Sequence, residues 1–374
     1  MKNLLSAFFI FFVISIICTG QINYPFSDTK NNRDIQAYWY NIPQDSVIFE
    51  NGDKLIFQSA LHIYGKTPED DFQVQVKVFL KNGKKVFEKI FEIKKTVKPY
   101  FMEFNNGYFK LRHAVEYLKE NPDKIIVTIK SSKEERRKEI KCRYYKLSGK
   151  ITDFKGKPVK AFIGVCPDSF LSEQLGKWSD SQGNYEIFLP ERTYNALIVE
   201  TAGKGMTDLE AWAWHTIVDS DQVMNFKIGN GEVYNLNVWV NNGGGNSYFI
   251  SFRPMVLGRV FPPKNYVLSI NGKKFNVSEL VPPLNSEDLK IKINGKKAEI
   301  ISIQKYFETG FLTRTIGLLS YLIQVSRKGF DTLGKQTVVV EYEKEIEING
   351  KKVKVNSMGC FQFYLNYEGL SKYF

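Results

Sequence analysis

Histidine is nearly absent from this chain: 374 residues carry only 3, at His62, His113 and His215. Imidazole titrates nearest neutral pH and is the commonest metal-binding side chain, so acid–base and zinc chemistry have little to draw on. None of the three stands in a His-Glu-x-x-His pattern, and the single His-x-x-Glu, His113-Ala114-Val115-Glu116, is too short a spacing to define a zinc site by itself. The glycine run Asn241-Asn242-Gly243-Gly244-Gly245-Asn246 is followed by a strand pattern, Tyr248 to Met255, and not by a helix or Gly-Lys-Ser/Thr. It reads as a hairpin loop, and nucleotide binding is excluded. Past the first twenty residues no run of 18 uninterrupted apolar residues occurs, so no integral membrane segment is expected after that point. No cofactor and no metal site is expected: Asp219-Ser220-Asp221 lacks the spacing and closing glutamate of an EF-hand loop and reads as a turn.

Cysteine is also scarce, with 4 residues. The first, Cys18, lies at the end of an export signal: Met1-Lys2-Asn3 followed by an apolar run from Leu4 to Ile17, too short to span a bilayer. Cys18 and Gly20 place small residues for cleavage before Gln21. Lipidation of Cys18 is the alternative, against which the bulky Ile17 stands. Export to the periplasm, outer surface or medium is expected. Cys142, Cys166 and Cys360 then remain, enough for one disulfide at most. Cys142 with Cys166 is the pair nearest in sequence; the alternative is three buried thiols acting as small hydrophobes.

What the chain has in abundance is aromatic surface and turn signals. Hydrophobic residues make up 43%, charged residues 25% and aromatics 14%, with 29 Phe and 20 Tyr. That composition can bury several cores, and the length predicts two to four folded units. Asn-Gly, which supplies both positive-φ residues of a type I′ hairpin turn, occurs at Asn51-Gly52, Asn82-Gly83, Asn271-Gly272, Asn294-Gly295 and Asn349-Gly350. The flanks alternate with period two, as in Phe72 to Val78 and Val86 to Ile93. The fold class expected is all-β, as tandem antiparallel β-sandwich domains. One helical stretch is expected, Arg112 to Glu120, ended by Asn121-Pro122. The units expected are a leader over 1–20, an immunoglobulin-like sandwich over 21–143, a second sandwich over 144–233, and a C-terminal β domain over 234–374.

Residues 144–202 carry a resemblance. Leu147-Ser148-Gly149-Lys150-Ile151-Thr152-Asp153, then Gly156-Lys157-Pro158-Val159, then Trp178-Ser179-Asp180-Ser181-Gln182-Gly183-Asn184-Tyr185 resemble the carboxypeptidase regulatory-like domain. The resemblance implies a transthyretin-like sandwich used as an accessory module, with no activity attached. Gly156-Lys157-Pro158 and Asp180 with Gly183 supply two turns, and Tyr185, Ile187 and Leu189 alternate toward a core.

The richest local composition is Glu210-Ala211-Trp212-Ala213-Trp214-His215, with Trp178 before it and Trp239 after it. On a strand, Glu210, Trp212 and Trp214 share one face. Indoles stack on the apolar faces of sugars while acids and amides take the hydroxyls, so Trp178, Asp180, Glu210, Trp212, Trp214, Tyr248 and Arg253 are the candidate binding residues. The competing reading is that both indoles pack between domains. Arg253, if turned inward, needs a carboxylate such as Glu210 or Glu232. Paired carboxylates for glycosidase chemistry, Glu210 with Asp180 or Asp208 with Asp219 and Asp221, cannot be singled out from the spacing, and no catalytic residue is assigned. The net charge of +12 is spread through turns and sign-alternating stretches, and an exported chain meets no nucleic acid. The function expected is a non-catalytic exported cell-envelope binding or scaffolding protein, whose partner is a polysaccharide or another envelope protein. The alternatives are a glycan hydrolase around Trp212 and an envelope assembly subunit offering an edge strand.

Overall fold

A computed structural model describes residues 35–48, 54–96, 102–105, 107–168, 175–205, 207–240, 246–257, 264–279, 282–309, 316–330, 333–348 and 351–365. The leader, Cys18, Asn51-Gly52, most of the glycine run and Asn349-Gly350 lie outside these. The described residues are nearly all strand, with one 3-10 turn at Ser286–Asp288 and no α-helix.

The first unit has a two-stranded sheet, Asp45–Ile48 with Lys54–Phe57, and two four-stranded ones. One runs Gln36–Tyr40, Ala60–Lys66, Tyr108–Ala114, Met102–Asn105, and the other Glu135–Lys141, Lys124–Ser131, Phe72–Phe79, Lys85–Ile93. Val74, Val76 and Val78 alternate inward with Ile125, Val127 and Ile129 opposite, giving a core shared with Trp39, Leu61 and Leu111. The expected helix at Arg112–Glu120 is not there. Tyr108–Ala114 is a strand paired with Ala60–Lys66, setting Arg112 opposite His62, and residues 115–121 continue without helix. Cross-strand partners outweigh a local helical pattern of this length. Asn41 then holds the following segment, accepting from the Leu118 N–H at 2.8 Å and donating to the Leu118 carbonyl at 2.9 Å.

Of the Asn-Gly pairs named above, the three that lie in the described residues divide by backbone angle. At Asn271-Gly272 and Asn294-Gly295 both residues have positive φ, as a two-residue type I′ turn requires. At Asn82-Gly83 only Gly83 is positive; Asn82 accepts from the Lys84 N–H instead, and the ladder shifts register at Val78/Phe79, so this loop is longer than the signal implies.

In the middle unit Tyr144–Asp153 pairs with Asn184–Pro190 and, in parallel, with Gln222–Val223 and Phe226–Ile228. Leu147, Ile151, Tyr185, Ile187 and Leu189 face a second sheet across one core. That second sheet does not stop at the unit's edge. It has eight strands in the order Gly176–Trp178, Phe162–Cys166, Arg192–Glu200, Ala211–Val218, Lys351–Leu365, Gly334–Ile348, Leu289–Ile293, Lys296–Lys297. The join is a parallel pairing of Trp212, Ala213 and Trp214 with Gly359, Cys360 and Phe361. On one face Ala211, Ala213 and Cys360 pack with Leu197 and Val199 in the middle core. On the other, Trp212, Trp214 and Phe361 pack with Val233, Leu236 and Val340 beneath a six-stranded sheet containing Gly231–Val240, Ser247–Val256 and Ile316–Ser326. The division expected at 233/234 therefore falls inside the strand Gly231–Val240 and cuts across a continuous sheet. The close fit shows at Gly359, where an added Cβ would lie 2.6 Å from Val233 Cγ1.

All three described cysteines are free, so the Cys142–Cys166 pairing is not formed. Burial pushes the Cys142 and Cys360 thiols up to about 12, the behaviour of buried hydrophobes and not of nucleophiles.

The first and middle units meet at a charged joint. Asp168 accepts from Lys110 Nζ at 2.5 Å, from Arg192 at 2.7 Å and from the Tyr64 hydroxyl. Arg192 also donates to the Tyr40 hydroxyl at 2.9 Å and lies 4.5 Å from the centre of the Tyr38 ring. Burial opposes charge on Asp168, but Arg192 and Lys110 prevail and hold its carboxyl far below the usual range. His62, edge-on to Tyr40 at 4.8 Å, is held well below 6.5 by burial first and Lys110 second. Asp168→Ala leaves two cations buried without their carboxylate, which costs about 3 to 5 kcal/mol. Calorimetry should then show the first unit melting separately and earlier. A depressed His62 stays neutral in the fold while the unfolded chain takes up a proton below 6.5, so this contribution is lost as pH falls from about 7 to 5. His62→Phe should flatten that part of the melting profile.

Candidate functional site

The strand Ala211–Val218 positions the residues singled out in sequence. It pairs antiparallel with Arg192–Glu200, setting Ala196 opposite Trp214 and Ile198 opposite Trp212. At His215 the backbone turns to φ 50° and the position opposite Asn195 drops out of the ladder with the register unchanged, Tyr194 pairing to Thr216 and Ala196 to Trp214. There the imidazole reaches the neighbouring strand Lys351–Leu365. His215 Nδ1 lies 2.6 Å from the Gln362 carbonyl, which can only accept, so Nδ1 carries the proton. Gln362 in turn accepts from the Ile217 N–H at 2.8 Å and donates to Gln222 at 3.0 Å and Thr337 at 3.2 Å.

Trp212 and Trp214 do share a face, as period two requires, and their rings stack with centroids 4.6 Å apart and planes within 14°. They are not open to solvent. Relative exposures are 4% and 7%, and Tyr234 meets both rings edge-on at 6.0 and 5.4 Å. The Trp212 N–H donates to Glu232 at 2.6 Å and the Trp214 N–H to the Val233 carbonyl at 3.3 Å. The expected sugar platform is thus corrected to a packed seam: rings of this size, placed where one sheet continues into the next module, gain more from burial than from waiting for a ligand.

The acids around the seam are committed to it. Lys204 bridges Glu200 at 2.5 Å and Glu210 at 2.7 Å. Burial pushes Glu232 well above the ordinary carboxylate range, with Glu210 adding to the shift, which favours the neutral acid where Glu232 accepts the Trp212 N–H. Arg253 pairs with Glu308, a partner the sequence reading passed over; its guanidinium lies 5.7 Å from the Tyr234 ring and its charge reaches Glu232.

The remaining candidates lie elsewhere. Tyr248 is fully buried, donating to the Phe330 carbonyl at 3.0 Å with Arg327 5.3 Å from its ring centre. Trp178 sits on the edge strand Gly176–Trp178, edge-on to Phe162 at 5.9 Å. Asp180 spends its oxygens on a turn, accepting from the Gln182 and Asn184 backbones at 2.9 and 2.7 Å; bonds from Asn184 lower its carboxyl. Asp219 pairs with Lys335 and Tyr364, Asp208 accepts from Thr201 at 2.7 Å, and Asp221 accepts from the Lys146 N–H at 2.8 Å. Among the described residues no cluster of His, Cys, Asp and Glu is arranged to hold a metal.

A cleft not expected from sequence opens where the first and middle units meet, lined by Asn41, Tyr117, Lys119, Asn121, Lys177 and Phe188 among others, with a volume of about 280 Å³. Tyr117 is 52% exposed and Phe188 44%. The signal for Phe188 was present: with Tyr185, Ile187 and Leu189 directed inward, period two directs position 188 outward. Tyr117 was lost to the helix reading.

No family model matches the chain, and no curated protein matches it. Among solved structures it is similar to the Bacillus anthracis TIE protein, at 13% identity over 92% of this chain and 74% of that one, with a TM-score of 0.17, too low to transfer a fold or a role.

Two substitutions separate the seam from a ligand site. Trp212→Ala removes a buried indole and should cost about 3 to 5 kcal/mol of stability in denaturant titrations. Glu232→Gln keeps the acceptor and removes the titration. The unfolded wild-type chain ionises Glu232 above its ordinary value while the folded chain does not, so wild-type stability is lost as pH rises. The melting temperature of Glu232→Gln relative to wild type should accordingly climb between pH 5 and 8.

Proposed function

We propose that this protein is an exported, non-catalytic binding or scaffolding component of a cell envelope. In this reading the first unit is an immunoglobulin-like sandwich and the middle one a transthyretin-like module of the carboxypeptidase regulatory kind. The observation that carries the proposal is the eight-stranded sheet continuous from the middle unit into the C-terminal one. A chain needing only a string of independent modules has no use for it; a stiff spacer does. The charged joint at Asp168 adds the first unit to the same body. The residues with most chemical promise, Trp212, Trp214, Glu210 and Glu232, support the reading by serving that rigidity. The Leu4–Ile17 apolar run supports export.

A second reading, envelope assembly, is favoured by Asn184–Pro190. It ends its sheet among the described residues, and its Glu186 and Phe188 line the Tyr117 cleft, where an extended segment of a partner protein could pair.

The test is expression with the native leader followed by fractionation and mass analysis. A mature chain starting at Gln21 outside the cytoplasm, melting as one body and releasing no reducing sugar from polysaccharides, is the expected outcome. Uncleaved cytoplasmic protein contradicts export, and sugar release abolished by Glu210→Gln replaces the scaffold with a hydrolase.

A further inference from the structure

We infer that the outer face of the C-terminal sheet, centred on Trp239, binds a neutral polysaccharide chain; this deepens the binding side of the proposal above. Five indoles occur in the sequence. Trp39, Trp212 and Trp214 are at most 7% exposed, and Trp178 is partly covered, whereas Trp239 is 40% exposed on the paired stretch that follows the register shift at Tyr234/Asn237. Leaving a ring of that size in water forgoes roughly 25 cal/mol for each Å² of apolar surface not buried.

The surroundings of Trp239 give the ligand class. Strand register sets it opposite Phe249, Phe249 opposite Gln324, and Gln324 opposite Ser302, a single row across four strands. At about 4.8 Å between strands the row runs roughly 14 Å, the scale of a short oligosaccharide. The next row on the same face is Asn237, Ser251, Leu322 and Gln304. Neither row holds an ionic side chain, in a protein whose residues are 25% charged. Further along the same strands the ion pair Arg253–Glu308 neutralises itself.

The Trp239 and Phe249 rings are near parallel, with planes within 18° and centroids 5.9 Å apart, so the phenyl ring fixes the indole. Gln324 is also set in advance: its amide donates to Ser247 at 2.9 Å and accepts from Ser302 at 3.4 Å, which leaves one N–H for a ligand. A pyranose presents an apolar C–H face ringed by hydroxyls. Rings at one end of a row and uncharged amides and hydroxyls along the rest match that pattern. A docking protein would be matched by a continuous apolar patch, which two rings flanked by amides do not make.

The experiment is affinity gel electrophoresis of the full mature chain in gels containing β-glucan, xylan, mannan or starch, with polygalacturonate as the charged control. Retardation by at least one neutral polymer is expected, weakened at least tenfold by Trp239→Ala and several-fold by Gln324→Ala, and unchanged by Trp178→Ala. Trp239 is exposed and Trp178 and Gln324 are half-buried, and unchanged melting temperatures verify the fold. No retardation by any of the neutral polymers, retardation indifferent to Trp239→Ala, or preference for polygalacturonate overturns the inference. Self-association lost in Trp239→Ala, without retardation, assigns the face to a second copy of the chain and overturns it equally. Each of these outcomes leaves export and single-body melting intact, so they do not count against the scaffold itself.

Discussion

Three parallel residue pairs, Trp212 with Gly359, Ala213 with Cys360 and Trp214 with Phe361, join two sheets into one. Everything C-terminal to residue 143 depends on that contact, because it gives each core a wall belonging partly to the other. Its two faces are chemically distinct. Small residues, Ala211, Ala213 and Cys360, let the middle core close against one side, while indoles and Phe361 fill the broader space under the sheet containing Gly231–Val240. Gly359 permits the approach by having no Cβ, and Gly231 does the same near Tyr342, where an added Cβ would lie 2.1 Å from the hydroxyl. Pairing residues 147 positions apart in sequence, as 212 with 359, carries a loop-closure entropy cost. Side chains reinforce it: Gln362 reaches Ile217, Gln222 and Thr337, and Lys227 pairs with Glu341 at 2.9 Å.

The distribution of charge follows from the same constraint. A chain with three cores joined at seams, in place of one central core, brings ionisable groups to places that close over. At the first seam the answer is a salted cluster, Asp168 between Lys110 and Arg192. At the second it is a shift of Glu232 toward its neutral form beneath an indole N–H, with Lys204 shared by Glu200 and Glu210. Residues that look like catalytic equipment in a list of motifs are thus explained by the cost of burying polar groups between modules. The row of Trp239 and Phe249 on the C-terminal sheet, by contrast, holds no acid.

Strand content and most turns were legible because they are local. Phe72 to Val78 writes its inward face in period two, and Asn271-Gly272 and Asn294-Gly295 adopt the turn that Asn-Gly encodes. Asn82-Gly83 and Arg112–Glu120 were misread because their conformation is decided by neighbours, the register shift at Val78/Phe79 and the pairing with Ala60–Lys66. The coupling of Trp212 to Gly359 was not legible at all, since nothing in Ala211–Val218 announces a partner that arrives at the end of the chain. The alternation of Trp212 and Trp214 correctly placed both rings on one face; whether that face met water or another sheet was a question of topology, which one strand's pattern does not contain.

Native-state hydrogen exchange across the shared sheet tests the account most directly. If the three residue pairs make the middle and C-terminal units one cooperative body, the amides of 212–214 and 359–361 exchange only through the opening that also exposes the slowest amides of Arg192–Glu200, with the same free energy and the same denaturant dependence. Exchange at 359–361 through a smaller opening, with Arg192–Glu200 still protected, would mean that the seam is a contact between independent modules.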